Sequence, residues 1–246
     1  MHANEAKWDI EQEKYTHPKA DSGNSLGSFR GSQELLRSAA KSLADARRGD
    51  HGESADQSID DEIRTLSVFI ESTGLQLDSA DVRARLGAFP MKGGKEHRVA
   101  YIPETGRVMK VADAHMLATE SLFDYLTDLL LSNHFFADDI QLEGVFTEGS
   151  RFHTVITQPY INGIHPEWPE LKAGLLRHNL RDPYPRSLGG NFTFDDPLVG
   201  EVDVFDLHPN NVIQDSTGWL NPIDAHFYFD NTEARINTLI KLDLLY

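Results

Sequence analysis

Residues 204–227, VFDLHPNNVIQDSTGWLNPIDAHF, place acidic, histidine and amide side chains in an otherwise apolar strand-and-turn pattern. The apolar runs on either side of 215–218, DSTG, predict two short strands joined by a turn, because Asp, Ser and Gly favour turn conformations. A hairpin returns its far end to the neighbourhood of its start, so we expect Asn211 and Asp224 to lie side by side, with Asp206 on the loop just before them. Folding alone would not require these polar residues.

The polar residues of this hairpin suit a cation and a proton acceptor. Asn211 and Asp224 provide two oxygen ligands for a hard divalent cation such as magnesium, which keeps several waters and takes its other ligands from phosphate oxygens. Asp206 is then free to orient or deprotonate a hydroxyl group. His208 has two possible roles, direct catalysis or hydrogen bonding to backbone carbonyls within the loop. Asp215 is interpreted as a turn former.

Composition limits the function classes. The chain has 246 residues, enough for one large domain or a domain with an extension, and its net charge is −16. A charge of this sign and size repels a phosphate backbone, so we expect no nucleic-acid partner. The absence of cysteine excludes disulfides, thiolate zinc sites and cysteine nucleophiles. With no signal peptide or membrane span recognised, the predicted location is the cytoplasm, and export by a specialised secretion system stays open.

The first part of the chain has two textures. Residues 1–31 are polar and lack apolar periodicity, which predicts a flexible leader. Apolar residues then recur at helical spacing over 32–48 and again over 59–72, and Gly74 is the expected end of the second helix. These two helices are interpreted as a helical N-terminal extension that spans 32–80.

From residue 86 onward the pattern alternates between strands and helices. The sequences PETG at 103–106 and TEGS at 147–150 are turn signatures, each flanked by apolar or alternating runs that predict a strand on both sides. The segment 181–197 has the composition of a loop. Further predicted elements are helices over 114–136, 168–178 and 232–245.

A second set of candidate residues lies in the first predicted hairpin. Lys110 stands in the apolar strand GRVMKVA, and a lysine in a strand, taken alone, is the solvent-facing position of an alternating pattern. Upstream, Gly93 and Gly94 predict a turn whose backbone N–H groups can approach an anion closely. His97 either approaches the same anion or belongs to the strand. The aromatic residues 227–229 are expected in the core.

The motif Asp-Leu-His-x-x-Asn at 206–211, followed by Pro-Ile-Asp at 222–224, resembles the catalytic and metal-binding loops of the protein-kinase-like superfamily, which includes the aminoglycoside and choline phosphotransferases. GRVMKVA resembles the third strand of that fold, with its phosphate-binding lysine. The resemblance covers roughly residues 86–229 and is nearest to the kinase-like domains of phage and mobile-element polyvalent proteins. The chain departs from protein kinases in its glycine turn, which lacks three spaced glycines, and in DAH at 224–226 in place of Asp-Phe-Gly.

This resemblance implies an α+β, two-lobed protein-kinase-like fold. It would have a small antiparallel N-lobe sheet, a reduced C-lobe and an N-terminal helical extension. The kinase-like domain would span 81–246, with the N-lobe at about 81–158 and the C-lobe at about 163–246. The reduced C-lobe leaves no obvious activation segment or peptide-binding platform.

The resemblance also implies a role for each residue that matches a family motif. Lys110 would hold the α- and β-phosphates of ATP. Asn211 and Asp224 would hold Mg²⁺, and Asp206 would accept the proton of the acceptor hydroxyl.

The same resemblance implies further contacts around the nucleotide. Glu120 is expected as the ion-pair partner of Lys110, with Asp113 and Glu96 as competitors. In the family the glycine turn covers the phosphates, and the segment TQPYING occupies the place of the hinge that holds the adenine. The residues implied at these two places are Gly93, Gly94, Gln158 and Tyr160.

The predicted function is an ATP- and Mg²⁺-dependent phosphotransferase that moves the γ-phosphoryl group to a hydroxyl of an unknown protein or small molecule. The alternative is a catalytically weak pseudokinase that acts as a nucleotide- or protein-binding module. A third class is a metal-dependent hydrolase built on Asp206, His208 and His226. It would lack the second histidine cluster that zinc hydrolases use.

Overall fold

The structure, a computed structural model, describes residues 26–49, 58–119, 121–177, 180–182 and 190–246. The first helix, α1 (Leu26–Gly49), begins earlier than the helix predicted over 32–48. The predicted flexible leader is therefore wrong at 26–31. Its first 25 residues lie outside the described residues.

Two further helices complete the N-terminal region. α2 (Ile59–Thr73) ends where predicted, because Gly74 adopts a left-handed conformation with φ 71° and its N–H bonds back to the last turn. α3 (Ser79–Ala88) was not predicted. The Asp78 side chain caps its first turn, but Val82 is the one buried residue of this helix, so the apolar periodicity that reveals a helix is missing.

The N-lobe contains a five-stranded antiparallel sheet with the order β1-β2-β3-β5-β4. Its strands are β1 (Pro90–Met91), β2 (His97–Ile102), β3 (Arg107–Asp113), β4 (Gln141–Glu148) and β5 (Arg151–Pro159). Both predicted hairpins are confirmed, since β2 and β3 flank PETG and β4 and β5 flank TEGS. The register aligns Val99, Lys110 and Ile156 across three neighbouring strands, so their side chains share one face of the sheet.

The helix α4 (Leu122–Phe136) connects β3 to β4. The helix predicted over 114–136 has the correct end but the wrong start. A 3-10 turn at Ala114–Met116 comes first, residues 117–119 are not helical, and Ser121 caps α4 by accepting from a backbone N–H.

Helices cover both faces of the N-lobe sheet. On one face, α4 packs in the same core cluster as Ala112 and Ile156. On the other face, Val82 of α3 packs with Met109 and Phe146. The face that carries Lys110 is the one covered by α4, because Ala112 and Ile156 share the register face of Lys110.

The C-lobe elements are β6 (Gly163–Ile164), α5 (Trp168–Arg177), β7 (Leu180–Arg181), β8 (Phe192–Asp196), β9 (Gly200–Phe205), β10 (Val212–Asp215), β11 (Leu220–Pro222), β12 (His226–Tyr228) and α6 (Thr232–Lys241). The strands form two small antiparallel sheets, with orders β12-β9-β8-β7 and β11-β10-β6. The predicted hairpin within 204–227 is confirmed as β10 and β11, as are helices α5 and α6. The loop predicted over 181–197 is wrong where it contains β8 and part of β7, strands too short to show periodicity.

One continuous core cluster joins the N-terminal helices to both lobes. It includes Leu43 of α1, Phe123 of α4 and Val204 of β9. The prediction that 227–229 belong to the core is wrong for Tyr228, which is exposed because side chains alternate along β12. The predicted α+β class, with an antiparallel N-lobe sheet and a helical N-terminal extension, is confirmed. Within the described ranges, no helix combines the length and apolar character needed to cross a membrane.

Candidate active site

The hairpin β10–β11 brings Asn211 next to Asp224, as its pattern predicts. Val212 pairs with Pro222, and the N–H of Ile223 donates to the Asn211 carbonyl at 2.8 Å. The Asn211 side-chain nitrogen Nδ2 lies 3.4 Å from the Asp224 carbonyl oxygen. The two candidate metal ligands therefore occupy adjacent positions at the open end of the hairpin.

Asp206 faces the same pair from the end of β9. Its backbone is left-handed, with φ 63°, a conformation that Asp tolerates better than most residues and that is common at active sites. Asn211 Nδ2 donates to its carboxylate oxygen Oδ2 at 2.7 Å, and His208 Nε2 lies 3.2 Å from Oδ1. Of the two roles considered for His208, bonding to backbone carbonyls is not seen among the described residues, and the ring contacts the Asp206 carboxylate instead. The carboxylate of Asp206 is thus oriented from both sides and still half-exposed.

The loop that carries Asp206 is supported by residues that its motif does not contain. The N–H of Leu207 donates to the carbonyl of Gly190 at 2.9 Å. His165, which follows β6, places Nδ1 2.9 Å from the Pro209 carbonyl oxygen and 3.0 Å from that of Val212. Two carbonyl partners require Nδ1 to carry the proton. Sequence reasoning missed His165, since no spacing links it to the loop.

Lys110 is buried rather than solvent-facing, which overturns the interpretation of its strand taken alone. Its ammonium group Nζ donates to the carbonyl of Ile223, the residue before Asp224. Burial lowers the pKa of Lys110, while the negative charges of Asp224 and then Asp138 act in the opposite direction. Lys110 thus links the N-lobe sheet to the candidate metal loop.

Three carboxylates were considered as the ion-pair partner of Lys110, and the structure places them differently. Glu120 lies outside the described residues. Asp113 points to the opposite face of β3, where its carboxylate pairs with Arg151 at 3.2 Å, so it cannot serve Lys110. The remaining candidate is Glu96, whose negative charge contributes to raising the pKa values of His226 and Tyr125.

A further acid near Lys110 was missed. Asp138 follows α4 on the way to β4, and burial raises its pKa to about 8 although the Lys110 ammonium opposes that shift. Nothing in the local sequence marks Asp138, because it belongs to a short connection without a motif.

The buried pair His97 and Tyr125 lies beside this charged cluster. His97 Nε2 is 3.3 Å from the Tyr125 hydroxyl. Burial, followed by the charge of Lys110, lowers the pKa of His97 to about 4, and burial raises the pKa of Tyr125. Of the two interpretations of His97, the structure shows a strand residue of β2 whose ring is buried against α4.

In the glycine turn and in the hinge segment alike, the two candidate residues have different surroundings. A Cβ atom at Gly93 would lie 2.2 Å from the His97 carbonyl oxygen, whereas one at Gly94 would meet open space. Gln158 is buried at the end of β5. Tyr160 is exposed, with its ring edge-on to Tyr101 at 5.1 Å between centroids. Contact of these residues with a nucleotide stays a prediction.

The donor set at the hairpin fits a magnesium ion bound together with phosphate. Because Asn211 Nδ2 donates to Asp206, the amide oxygen Oδ1 is left to act as a ligand. The Asp224 carboxylate makes no hydrogen bond or ion pair to the rest of the described chain, although it lies beside Lys110. In the described segments, no three His, Asp or Glu side chains gather as a metal cluster, so the hydrolase alternative gains no support there.

The sequence of the chain also matches a known protein family. A sequence model described as the serine/threonine/tyrosine kinase found in polyvalent proteins matches residues 60–231. The chain belongs to this polyvalent-protein kinase family. The resemblance to the kinase-like domains of polyvalent proteins is thereby confirmed, and the matched range contains Lys110, Asp206, Asn211 and Asp224. No curated protein was found to match the chain.

Proposed function

We propose that the chain is an ATP- and Mg²⁺-dependent phosphotransferase that moves the γ-phosphoryl group to a hydroxyl of a protein or small molecule. One observation carries this proposal: the fold gathers an acid, an amide, a second acid and a buried lysine at one point. Asn211 bonds the side chain of Asp206 and lies against Asp224, while Lys110 reaches the residue before Asp224. These residues come from three separate strands or loops, so folding alone does not require their convergence.

The Asn211 and Asp224 oxygens would hold the magnesium ion, which neutralises phosphate charge when bound. The Asp224 carboxylate, which is otherwise unpaired among the described residues, gains a partner in this arrangement. Lys110 would bind the α- and β-phosphates with an ammonium group that is already desolvated, so that its charge acts strongly at short range.

Asp206 would accept the proton of the attacking hydroxyl. Its carboxylate is held by Asn211 and His208, so its lone pairs are oriented before the acceptor arrives. Phosphoryl transfer needs little covalent help from protein, and such positioning together with charge neutralisation supplies most of the catalysis.

A pseudokinase is the second candidate, and the glycine turn favours it. Gly93 is required by the close approach of the His97 carbonyl, so its presence does not need a nucleotide to explain it. A pseudokinase of this kind would bind nucleotide or a partner protein without transferring the phosphoryl group.

Three variants separate these functions. Radiolabelled ATP turnover and the unfolding temperature with Mg·ATP are measured for the wild type, Asp206→Ala and Asp224→Asn, with Asp195→Asn as a surface control on β8. A phosphotransferase predicts that Asp206→Ala keeps the nucleotide-induced stabilisation but loses turnover about 100-fold or more, the usual contribution of a general base. Asp224→Asn should lose the magnesium-dependent part of the stabilisation.

Two results would count against the enzyme. Stabilisation by nucleotide without turnover, unchanged in Asp206→Ala, identifies a pseudokinase. A wild type that shows neither stabilisation nor turnover overturns the phosphotransferase and the nucleotide-binding pseudokinase, and leaves only a pseudokinase that binds a partner protein.

A further inference from the structure

Helix α4 is joined to the chain just beyond Asp224 through one buried carboxylate. We propose that Asp128 is a positioning residue that fixes the candidate metal loop, an inference that rests on the proposed function. Asp128 Oδ2 lies 3.1 Å from His226 Nδ1, and Oδ1 accepts from the backbone N–H of Phe227 at 3.3 Å. Both partners belong to β12, which begins two residues after Asp224.

A third donor to Asp128 comes from the C-terminal helix α6. Arg235 Nη1 donates to Asp128 Oδ1 at 2.8 Å, and Nη2 of the same guanidinium donates to the Phe227 carbonyl at 2.6 Å. The backbone of Phe227 is thus held at its N–H by Asp128 and at its carbonyl by Arg235. The Asp128 and Arg235 side chains are buried, and buried charges persist only where they are paired and hydrogen-bonded.

Helix α4 also reaches the other side of the site. Tyr125 lies one turn before Asp128 and contacts His97, the first residue of β2 after the glycine turn. A displacement of α4 would therefore move the glycine turn and the metal loop together. Asp128 is the contact that transmits the position of α4 to Asp224.

This connection does not pass through Lys110. The ammonium of Lys110 bonds the Ile223 carbonyl and forms no ion pair with a carboxylate among the described residues. The helix after β3 was expected to supply such a carboxylate. Asp128 lies on this helix, but it pairs with His226 and Arg235 instead. The structure therefore assigns to Asp128 the attachment of α4 to the site.

The test measures magnesium dependence in the full chain. Asp128→Asn keeps the side-chain shape but removes the charge, and His226→Ala removes one partner. We expect the magnesium concentration for half-maximal turnover, and that for half of the nucleotide-induced rise in unfolding temperature, to increase 10- to 100-fold in both variants, the usual effect of losing a residue that orients a metal ligand. KM for ATP at saturating magnesium should change less than about 2-fold, because Lys110 is untouched.

Asp124→Asn is the matched control. Asp124 is also on α4 and pairs with the same Arg235, at 3.2 Å from Nε, but it does not contact β12. It should leave the magnesium requirement at the wild-type value, which separates positioning of the metal loop from general stabilisation by Arg235. A double variant, Asp128→Asn with His226→Ala, should be no worse than Asp128→Asn alone, because His226→Ala removes a contact that Asp128→Asn already weakens.

The outcomes for the inference and for the proposed function differ. If the wild type turns over ATP and both single variants keep its magnesium dependence, Asp128 has no positioning role. If Asp128→Asn does not fold, His226→Ala decides alone, since His226 is partly exposed and its loss leaves Arg235 paired with Asp128. A wild type that neither binds nor uses Mg·ATP overturns the proposed function, and this inference with it.

Discussion

His97 and His226 lie around the same charged cluster, yet their neighbours shift their pKa values in opposite directions. Burial and Lys110 lower the pKa of His97 to about 4. The hydrogen bond to Asp128 raises the pKa of His226 to about 9. At neutral pH one imidazole is therefore neutral and the other charged, so the site contains a fixed pattern of charge before any ligand binds.

The neutral state of His97 predicts a loss of stability in acid. In the unfolded chain His97 takes up a proton below its ordinary pKa of 6.5, whereas in the folded protein it stays neutral until about pH 4. The unfolded state thus binds more protons, and the free energy of unfolding should fall by up to about 3 kcal/mol as the pH drops from 6.5 to 4. Urea titrations at several pH values measure this slope.

Carboxylates also titrate in that range, so the comparison is between variants. His97→Gln should show a shallower decline than the wild type over pH 6.5 to 4. His134→Gln, a change at an exposed histidine, should follow the wild type. Equal slopes for His97→Gln and the wild type would show that His97 is not held neutral by the fold.

The two glycines of the turn before β2 predict unequal effects of the same substitution. A Cβ at Gly93 would lie 2.2 Å from the His97 carbonyl oxygen, a backbone atom that cannot move without displacing β2. Gly93→Ala should therefore lower the free energy of unfolding by about 1–3 kcal/mol, as overpacking does. Gly94→Ala, which meets open space, should stay within about 0.5 kcal/mol of the wild type. Thermal unfolding of the two variants measures the difference, and equal stabilities would contradict it.

At the scale of elements, the sequence predicts what local turn chemistry determines. The hairpins at PETG, TEGS and DSTG, and the end of α2 at Gly74, were each correct, because turn residues and apolar runs lie within a few positions of each other. The start of α4 was wrong, since Ser121 rather than the onset of apolar residues begins the helix. Helix α3 was missed because Val82 is its one buried residue, so its sequence shows no apolar periodicity.

The contacts of Glu62 on α2 indicate that the stability of α4 depends on the N-terminal helices. This fully buried carboxylate accepts from Arg47 at 2.6 Å and from the backbone N–H of Leu122, the first residue of α4, at 2.7 Å. It satisfies an N–H that the helix cannot bond internally and places negative charge at the positive end of the helix dipole. Glu62→Ala would leave Arg47 and that N–H without their partner, so we expect a loss of about 3–5 kcal/mol in urea unfolding.

The control for Glu62 lies on the same helix. Glu71 is exposed near the end of α2, and Glu71→Ala removes the same charge without breaking a buried contact. Its unfolding free energy should stay within about 0.5 kcal/mol of the wild type. Similar losses in both variants would mean that the Glu62 contact to α4 contributes little.

At the scale of the whole molecule, the site divides into a predictable and an unpredictable part. The closeness of Asp206, Asn211 and Asp224 was predictable because all three lie in or just before one hairpin, and Lys110 was named because its strand resembles a known one. Asp128, Asp138 and His165 were not found, because their partners are distant in sequence: Asp128 meets His226 nearly a hundred positions away. Only contacts between distant elements, such as that of α4 with β12, show that these residues lie beside the site.

The ends of the described chain also meet, which makes the N-terminal helices part of the main fold. Arg37 of α1 donates to the carbonyl of Asp243 and lies 5.5 Å from the centroid of the Tyr246 ring. Leu43, fully buried on the same helix, belongs to the core cluster that reaches β9 and α6. A helical extension that shares its core with both lobes should unfold with them.

Leu43→Ala tests this cooperativity. Removing a buried leucine side chain should cost about 2–5 kcal/mol, and a single core predicts that the whole chain loses this stability. In a Trp8→Phe background, fluorescence comes from Trp168 and Trp219 in the C-lobe, while far-ultraviolet circular dichroism reports all helices. Both signals should shift to lower urea by the same amount. Val68→Ala, at an exposed position of α2, should shift neither. If the fluorescence midpoint stayed fixed while part of the helical signal was lost early, the N-terminal helices would be a separate unit, because only an independent core can unfold without the C-lobe.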